Sequence, residues 1–158
     1  MIVAVVSDTH RKMTYIEKVK KVVQEADILI HLGDNTDDIE LLEDGFKGRV
    51  YGVRGNCDIS KKYPEEQVID VEGKKIFFTH GHNYGVKSSY TSIYCKGMEI
   101  GADVVLFGHT HQTFMEEYRD IIFVNPGSVS MPNLRGRYVV FLDVQQGKKV
   151  QVNFKEII

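Results

Sequence analysis

The amino-acid sequence predicts an α/β protein with mixed β-sheets, two packed layers of strands flanked by helices. Up to Asn56, short apolar runs alternate with stripes of helical period, the order expected of βαβ units. Beyond it, strand-like runs parted by turn residues dominate, interrupted by one helical stretch. The length of 158 residues suits one domain, residues 1–158, with room for a real hydrophobic core.

The opening "MIVAVVSD" reads as a buried strand. Thr14 is then expected to cap a helix on which Ile16, Val19, Val22, Val23 and Ala26 recur. "DILIHLGD" is a second buried strand, "TDDIELLEDG" a short helix closed by Gly45, and "RVYGVRGN" a third strand. This βαβαβ order favours a parallel sheet with helical crossovers. "QVIDV" and "IFFTH" flank the turn "EGKK" as a hairpin, and a helix is expected from Ser88 to Ile100. "ADVVLFGHTH", "QTFMEEY", "IIFVNPGS", "RYVVFLDV" and "KVQVNFKEI" complete the strands.

Composition bounds the function. With 42% apolar and 27% charged residues and a formal charge of -2, there is no electrostatic case for a membrane surface or a long nucleic acid. Cys57 and Cys95 are too few for a disulfide framework and fit a reducing compartment. "MIVAVV" is too short for a signal-peptide core and carries no basic flank, and no run is long enough to span a bilayer, so a cytoplasmic location is expected. The strand-rich carboxyl-terminal third offers an edge for self-association, so an oligomer is possible.

Each buried run ends in a polar cluster. Asp8-Thr9-His10 closes the first, Gly33-Asp34 the second and Gly55-Asn56 the third; Thr79-His80-Gly81-His82 and Gly108-His109-Thr110-His111 close later runs. Carboxyl ends of parallel strands line the crevice where ligands bind, so these clusters can meet. Asp8 and His10 stand two residues apart, as do His109 and His111, a spacing that on an extended backbone directs both side chains to one side. Carboxylate, amide and imidazole donors without paired thiolates suit manganese, iron, zinc or nickel. Taken singly, a D-x-H after a strand is ordinarily a turn or a helix cap, "GD" says less still, and "GHTH" reads equally as hydrogen-bonded surface histidines. Their conjunction in strand-end register offers donors enough for two ions.

The ordered series D-x-H, GD, GN-x-D, GH and GH-x-H resembles the calcineurin-like metallophosphoesterases. "RGNCD", "THGH", "GHTH" and "NPGSVS" are similar to its compact branch, the YfcE-like phosphodiesterases. The resemblance runs from Asp8 to Ser130. It implies a four-layer α/β/β/α sandwich of two mixed β-sheets with two divalent metals at the strand ends. One ion would take Asp8, His10 and His111, the other Asn56, His80 and His109, with Asp34 bridging both. Manganese is the expected cation, with nickel, iron, zinc or magnesium as alternatives. The implied reaction is hydrolysis of small phosphodiesters by a hydroxide shared between the ions, with Asp34, Asn56, Cys57 and His80 at the reacting phosphate.

Cys57 departs from the pattern, since many family members carry a histidine there that assists the leaving group or steadies the phosphate. A thiol is a poorer acid at neutral pH and a weak donor, so Cys57 is expected to be a modest substrate-contacting group or a small buried filler, and not a nucleophile. Leaving groups that need little acid assistance, such as phenolates, should be favoured. Asp58 is expected to support the ligands or cap the turn. His82 should stand beside the ions and His31 should be a satisfied core histidine, while Arg54 either holds a phosphate oxygen or, as is commoner for an arginine, is ion-paired or solvated. "YGVKSSYTSIYCKG" is either a substrate-facing wall or an amphipathic helix with Ile93 and Met98 inward. Asn125-Pro126-Gly127-Ser128 reads as a turn shaping the site floor.

Two rivals remain. Relatives of this fold in eukaryotic retromer serve as scaffolds with degraded metal sites, whereas every metal position is filled here. A nuclease acting on long polyanions is disfavoured by the near-neutral charge.

Overall fold

The computed structural model describes residues 1–158. Ten strands form two sheets. The first holds β1 (Ile2–Val6), β2 (Ile28–His31), β3 (Arg49–Gly52), β9 (Tyr138–Asp143) and β10 (Gln151–Glu156), in the order β10-β9-β1-β2-β3. The second holds β4 (Glu66–Val71), β5 (Lys74–Thr79), β6 (Val104–Leu106), β7 (Thr113–Tyr118) and β8 (Ile121–Pro126), in the order β4-β5-β6-β8-β7. Both sheets are mixed. In the first, β1, β2 and β3 run parallel and β9 returns antiparallel beside β1; in the second, β5, β6 and β8 are parallel between antiparallel edges. Helices α1 (Met13–Val23) and α2 (Asp38–Glu43) make the crossovers of the first sheet, and α3 (Thr91–Ile100) leads from β5 to β6. This is the four-layer α/β/β/α sandwich.

Strand alternation explains the layers. Val3 and Val5 of β1, Ile28 and Ile30 of β2, Ile76 and Phe78 of β5 and Val104 and Leu106 of β6 meet in the core between the sheets. The alternate residues face outward: Ala4, Val6 and Leu29 pack with Ile16, Val19 and Val23 of α1 and Leu42 of α2. Phe77, Val105 and Phe123 pack with Ile93 of α3. Strands buried on both faces must be apolar at every position, which is why the sequence shows continuous runs there and not alternation. No helix is long and apolar enough to cross a membrane.

Two helix starts differ from expectation. Thr14 lies inside α1 and caps nothing, because the first helical bonds run from the N–H groups of Tyr15 and Ile16 to the carbonyl of Lys12, at 2.9 and 3.1 Å. Helix α3 begins at Thr91, not Ser88: the N–H groups of Ser88 and Ser89 both turn back to the Gly85 carbonyl, and helical bonding starts with Tyr94 to Tyr90. Its end follows the Schellman pattern, with Gly101 at φ 66° and the N–H groups of Gly101 and Ala102 reaching the carbonyls of Met98 and Gly97.

Candidate metal centre

The parallel strands of both sheets deliver their polar ends to one edge of the sandwich. Asp8 N–H donates to the Gly33 carbonyl at 3.0 Å, joining the loops after β1 and β2. Gly108 N–H donates to the His80 carbonyl at 2.9 Å, joining those after β5 and β6. Between the sheets, His80 Nδ1 lies 2.7 Å from the Leu32 carbonyl, and His109 N–H reaches Asp8 Oδ2 at 3.3 Å.

Asp8, His10, Asp34 and His111 each bring one ligating atom within 4.8 Å of the others. Asp34 faces two ways. Its Oδ1 lies 3.5 Å from His80 Nε2 and its Oδ2 3.9 Å from His10 Nε2. His80 Nε2 is also 3.2 Å from His109 Nδ1, so this imidazole pair meets Asp34 through Oδ1, while His10 meets it through Oδ2. Because carbonyls only accept, His80 and His111 must donate from Nδ1 to Leu32 and Met131, leaving Nε2 as the lone pair in each neutral ring.

The shared side of Asp8 and His10 has a different origin from the one expected. The backbone is not extended there: Asp8 and His10 have φ of 55° and 46°, His109 and His111 69° and 57°, and Asp34 61°. Five of the seven expected ligands thus occupy left-handed conformations that cost a non-glycine residue about 1–2 kcal/mol each. Crowding also dictates two glycines. A Cβ on Gly55 would collide with Asp34 Oδ1, and one on Gly108 with Ser7 Oγ.

The strained turns are fastened by residues that carry no ligand role. Ser128 and Ser130 both donate their hydroxyls to the Asp8 carbonyl, each at 2.8 Å. Asn125 donates to the Gly108 carbonyl and the Thr110 hydroxyl, at 3.0 and 2.9 Å. Asp58 accepts the N–H groups of Asp34, Thr36 and Gly55 at 2.9, 2.8 and 2.7 Å, the supporting role expected of it. Asn125-Pro126-Gly127-Ser128, expected as a turn shaping the site floor, thus supplies two of these fastenings; the two serines lie more than a hundred residues from Asp8, so no local pattern pairs them with it.

His31 is the satisfied core histidine expected. It accepts from Gly33 N–H at Nδ1 and therefore donates from Nε2 to the Thr9 hydroxyl, which donates in turn to Asp38 at 2.5 Å. Asp38 also accepts Arg11 N–H at 2.9 Å, so this chain of bonds grips the turn holding Asp8 and His10. Complete burial, opposed by the charges of Asp8, Asp38 and Asp58, lowers His31 to a pKa of about 4.

Charges in the cluster are matched to cation binding. Burial would raise the Asp8 carboxyl, but the close His111 ring, the neighbouring His80 and the Ser7 hydroxyl outweigh it and hold it below its ordinary value. Burial, His80 and Lys87 lower His109 to about 4, keeping the ring neutral with one nitrogen lone pair to offer. His111 is raised, first by Asp8.

Asn56 and Cys57 stand at the rim. The Asn56 side chain is exposed, its amide nitrogen 3.7 Å from Cys57 Sγ, and no hydrogen bond ties it to Asp34, His80 or His109. Cys57 is exposed too, so it is not a buried filler, and its N–H donates to Asp34 Oδ1 at 3.0 Å. What burial its thiol has, together with Asp34, raises its pKa and keeps it protonated at neutral pH. His82 lies beside the imidazole pair, its ring 5.4 Å from that of His80 and 6.1 Å from that of His109. Arg54 is paired with Glu65 at 2.8 Å.

Buried Asp8 Oδ1 and His10 Nε2 have no hydrogen-bond partner. Orphaned acceptors among carboxylates and imidazoles are the donor set a first-row cation requires, and the residues present fit one.

A two-sheet α/β sandwich that gathers carboxylates and imidazoles at one edge defines the class. The chain belongs to the calcineurin-like phosphoesterase superfamily, whose domain model matches residues 1–147. It is 33% identical over 136 residues to a probable metallophosphoesterase of Bacillus subtilis, covering 85% of this chain and 79% of that protein. It is 28% identical over 146 residues to a phosphodiesterase of Methanocaldococcus jannaschii, covering 80% of this chain and 83% of that protein. In fold it is similar to wild-type Vps29 of Entamoeba histolytica complexed with zinc, with a TM-score of 0.78, 17% identity and all of both chains covered.

Proposed function

We propose that residues 1–158 form a single phosphodiesterase domain that uses two divalent cations, manganese first among them, to hydrolyse small phosphodiesters in the cytoplasm. One observation carries the reading. His111 Nε2 lies 3.1 Å from the buried Asp8 Oδ1, while its Nδ1 is committed to Met131. A neutral ring so held points a lone pair at a carboxylate oxygen, so a proton or a cation must stand between them.

Asp8, His10 and His111 would hold one ion, Asn56, His80 and His109 the other, and Asp34 would bridge with the two oxygens that face the two groups. When bound, the cations supply a water acidified enough to act near neutral pH and positive charge for the phosphoryl oxygens. The chain's own residues orient the ester. The Asn56 amide, exposed at the rim, is free to turn an N–H toward a phosphoryl oxygen. Cys57, protonated, offers a weak donor beside it and no nucleophile. With so weak an acid at this position, phenolate-like leaving groups are favoured.

The second reading, a scaffold without catalysis, rests on the likeness in fold to Vps29. One experiment separates them. Metal-stripped protein is assayed on a phosphomonoester and a phosphodiester with manganese, nickel, zinc or magnesium added back singly. Diester hydrolysis restored by manganese or nickel, and nearly abolished by Asp34→Asn, Asn56→Ala or His80→Ala, supports the enzyme; protein that binds no ion and splits neither ester is the scaffold.

A further inference from the structure

Around the candidate metal centre Asp58, Thr36, Asn125, Ser128, Ser130, Thr9 and His31 all hold backbone or one another, and the buried atoms without a partner, Asp8 Oδ1, His10 Nε2 and His82 Nδ1, belong to the centre and its border. One place differs. A hollow of about 280 Å³ opens beside the "GHTH" loop, lined by Val86, Lys87, Tyr90, Thr110, Gln112 and Asn133. Its wall is tied to the ligand loop: Asn133 N–H donates to the His111 carbonyl at 2.9 Å, and the Asn133 amide donates to the Thr110 carbonyl at 2.6 Å.

The Thr110 hydroxyl is committed to Asn125 and to the backbone of Gln112, but other polar groups facing this hollow are unspent. The Lys87 ammonium has no acidic partner, the Tyr90 hydroxyl and the Gln112 amide make no hydrogen bond within the chain, and the Asn133 carboxamide oxygen is free. The Tyr90 ring is fixed in place by Phe107 and Phe114, at 5.3 and 4.5 Å between centroids, so its hydroxyl is presented from a rigid base. Lys87 is close enough for its charge to be felt at both His109 and His111. A concave site with a fixed aromatic, a free cation and a few convergent polar groups, bordering two ligand residues, is built to receive part of a small molecule.

We propose that this hollow holds the second ester arm of the substrate, and that Lys87 selects arms bearing an additional anionic group. The inference rests on the phosphodiesterase reading and deepens it by naming the substrate class: phosphodiesters with a negative charge a few bonds from phosphorus. An exposed ammonium pairing with a carboxylate is worth about 1 kcal/mol, so the expected preference is about fivefold.

The test uses two near-isosteric probes, 3-phosphonopropanoate and propylphosphonate, titrated into zinc-loaded ¹⁵N-labelled protein. Both should shift the amide signals of residues 8–11, 34–35 and 108–111. Only the carboxylated probe should also shift Lys87, Tyr90, Gln112 and Asn133, and it should bind about fivefold tighter at low salt. Lys87→Gln should bring the two affinities together, and Lys87→Glu should reverse their order. Equal binding of the probes, a preference that survives Lys87→Gln, or silent signals at the hollow overturns the inference. Selective binding by a protein that cleaves no ester would instead sink the phosphodiesterase reading and leave the anion subsite standing.

Discussion

The carboxylate of Asp58 grips the backbone of Asp34, accepting its N–H at 2.9 Å from a loop 24 residues further along the chain. The same Oδ2 takes Gly55 N–H, and Oδ1 takes the N–H and hydroxyl of Thr36. Asp58 is thus the clasp between the loops after β2 and β3.

Removing this clasp leaves three backbone donors without their acceptor. Asp58→Ala should cost about 2–4 kcal/mol in denaturant-measured stability. Asp58→Asn should recover only part of this, because its one oxygen can accept for one side of the clasp while its NH₂ faces N–H donors on the other. A neutral effect of the asparagine variant would show that the clasp is incidental.

Gly55 has a backbone any residue can adopt, yet a methyl group there strikes the Asp34 carboxylate. Gly55→Ala should therefore lower metal affinity by at least tenfold while the circular dichroism spectrum stays that of the parent. Calorimetric titration with zinc makes the comparison; unchanged affinity would mean that Asp34 moves freely.

The Asp8 carbonyl, held by Ser128 and Ser130, predicts a graded loss. Each single alanine variant should cost about 1 kcal/mol, and the pair more than the sum, since the first loss leaves one bond still pinning a left-handed residue. A double-mutant cycle by urea denaturation measures the coupling.

His31, whose pKa falls to about 4 inside the fold, makes stability depend on pH. Between its unfolded value of about 6.5 and its folded one, only the unfolded chain takes up the proton, so stability falls as pH falls. From pH 7 to pH 5 the metal-free protein should lose about 2 kcal/mol from this group alone. His31→Gln should flatten that slope by a similar amount in urea denaturation at the two pH values.

The strand ends were legible in the sequence because a strand buried on both faces must be apolar throughout and must stop where polar groups begin. That physics placed Asp8, Asp34, His80 and His109 correctly at one edge. Local pattern failed where a bond spans the chain. Nothing around Ser128 or Ser130 announces Asp8 as a partner, and nothing around Asp38 announces Thr9. The D-x-H spacing pointed to a shared side through the geometry of an extended strand, while the fold achieves it with left-handed residues. Thr14 has the chemistry of a helix cap, but Lys12 supplies the first accepting carbonyl, and side-chain type alone does not reveal that competition.

The bonds that hold the left-handed turns come chiefly from serines, an asparagine and an aspartate outside the ligand set, with only those of His80 to Leu32 and His111 to Met131 supplied by the imidazoles, so most of the shape of the edge does not depend on the rings it displays. A descendant that exchanged those rings for other side chains would keep the same contour, and the surface vacated by chemistry would be ready-made for recruitment as a docking face.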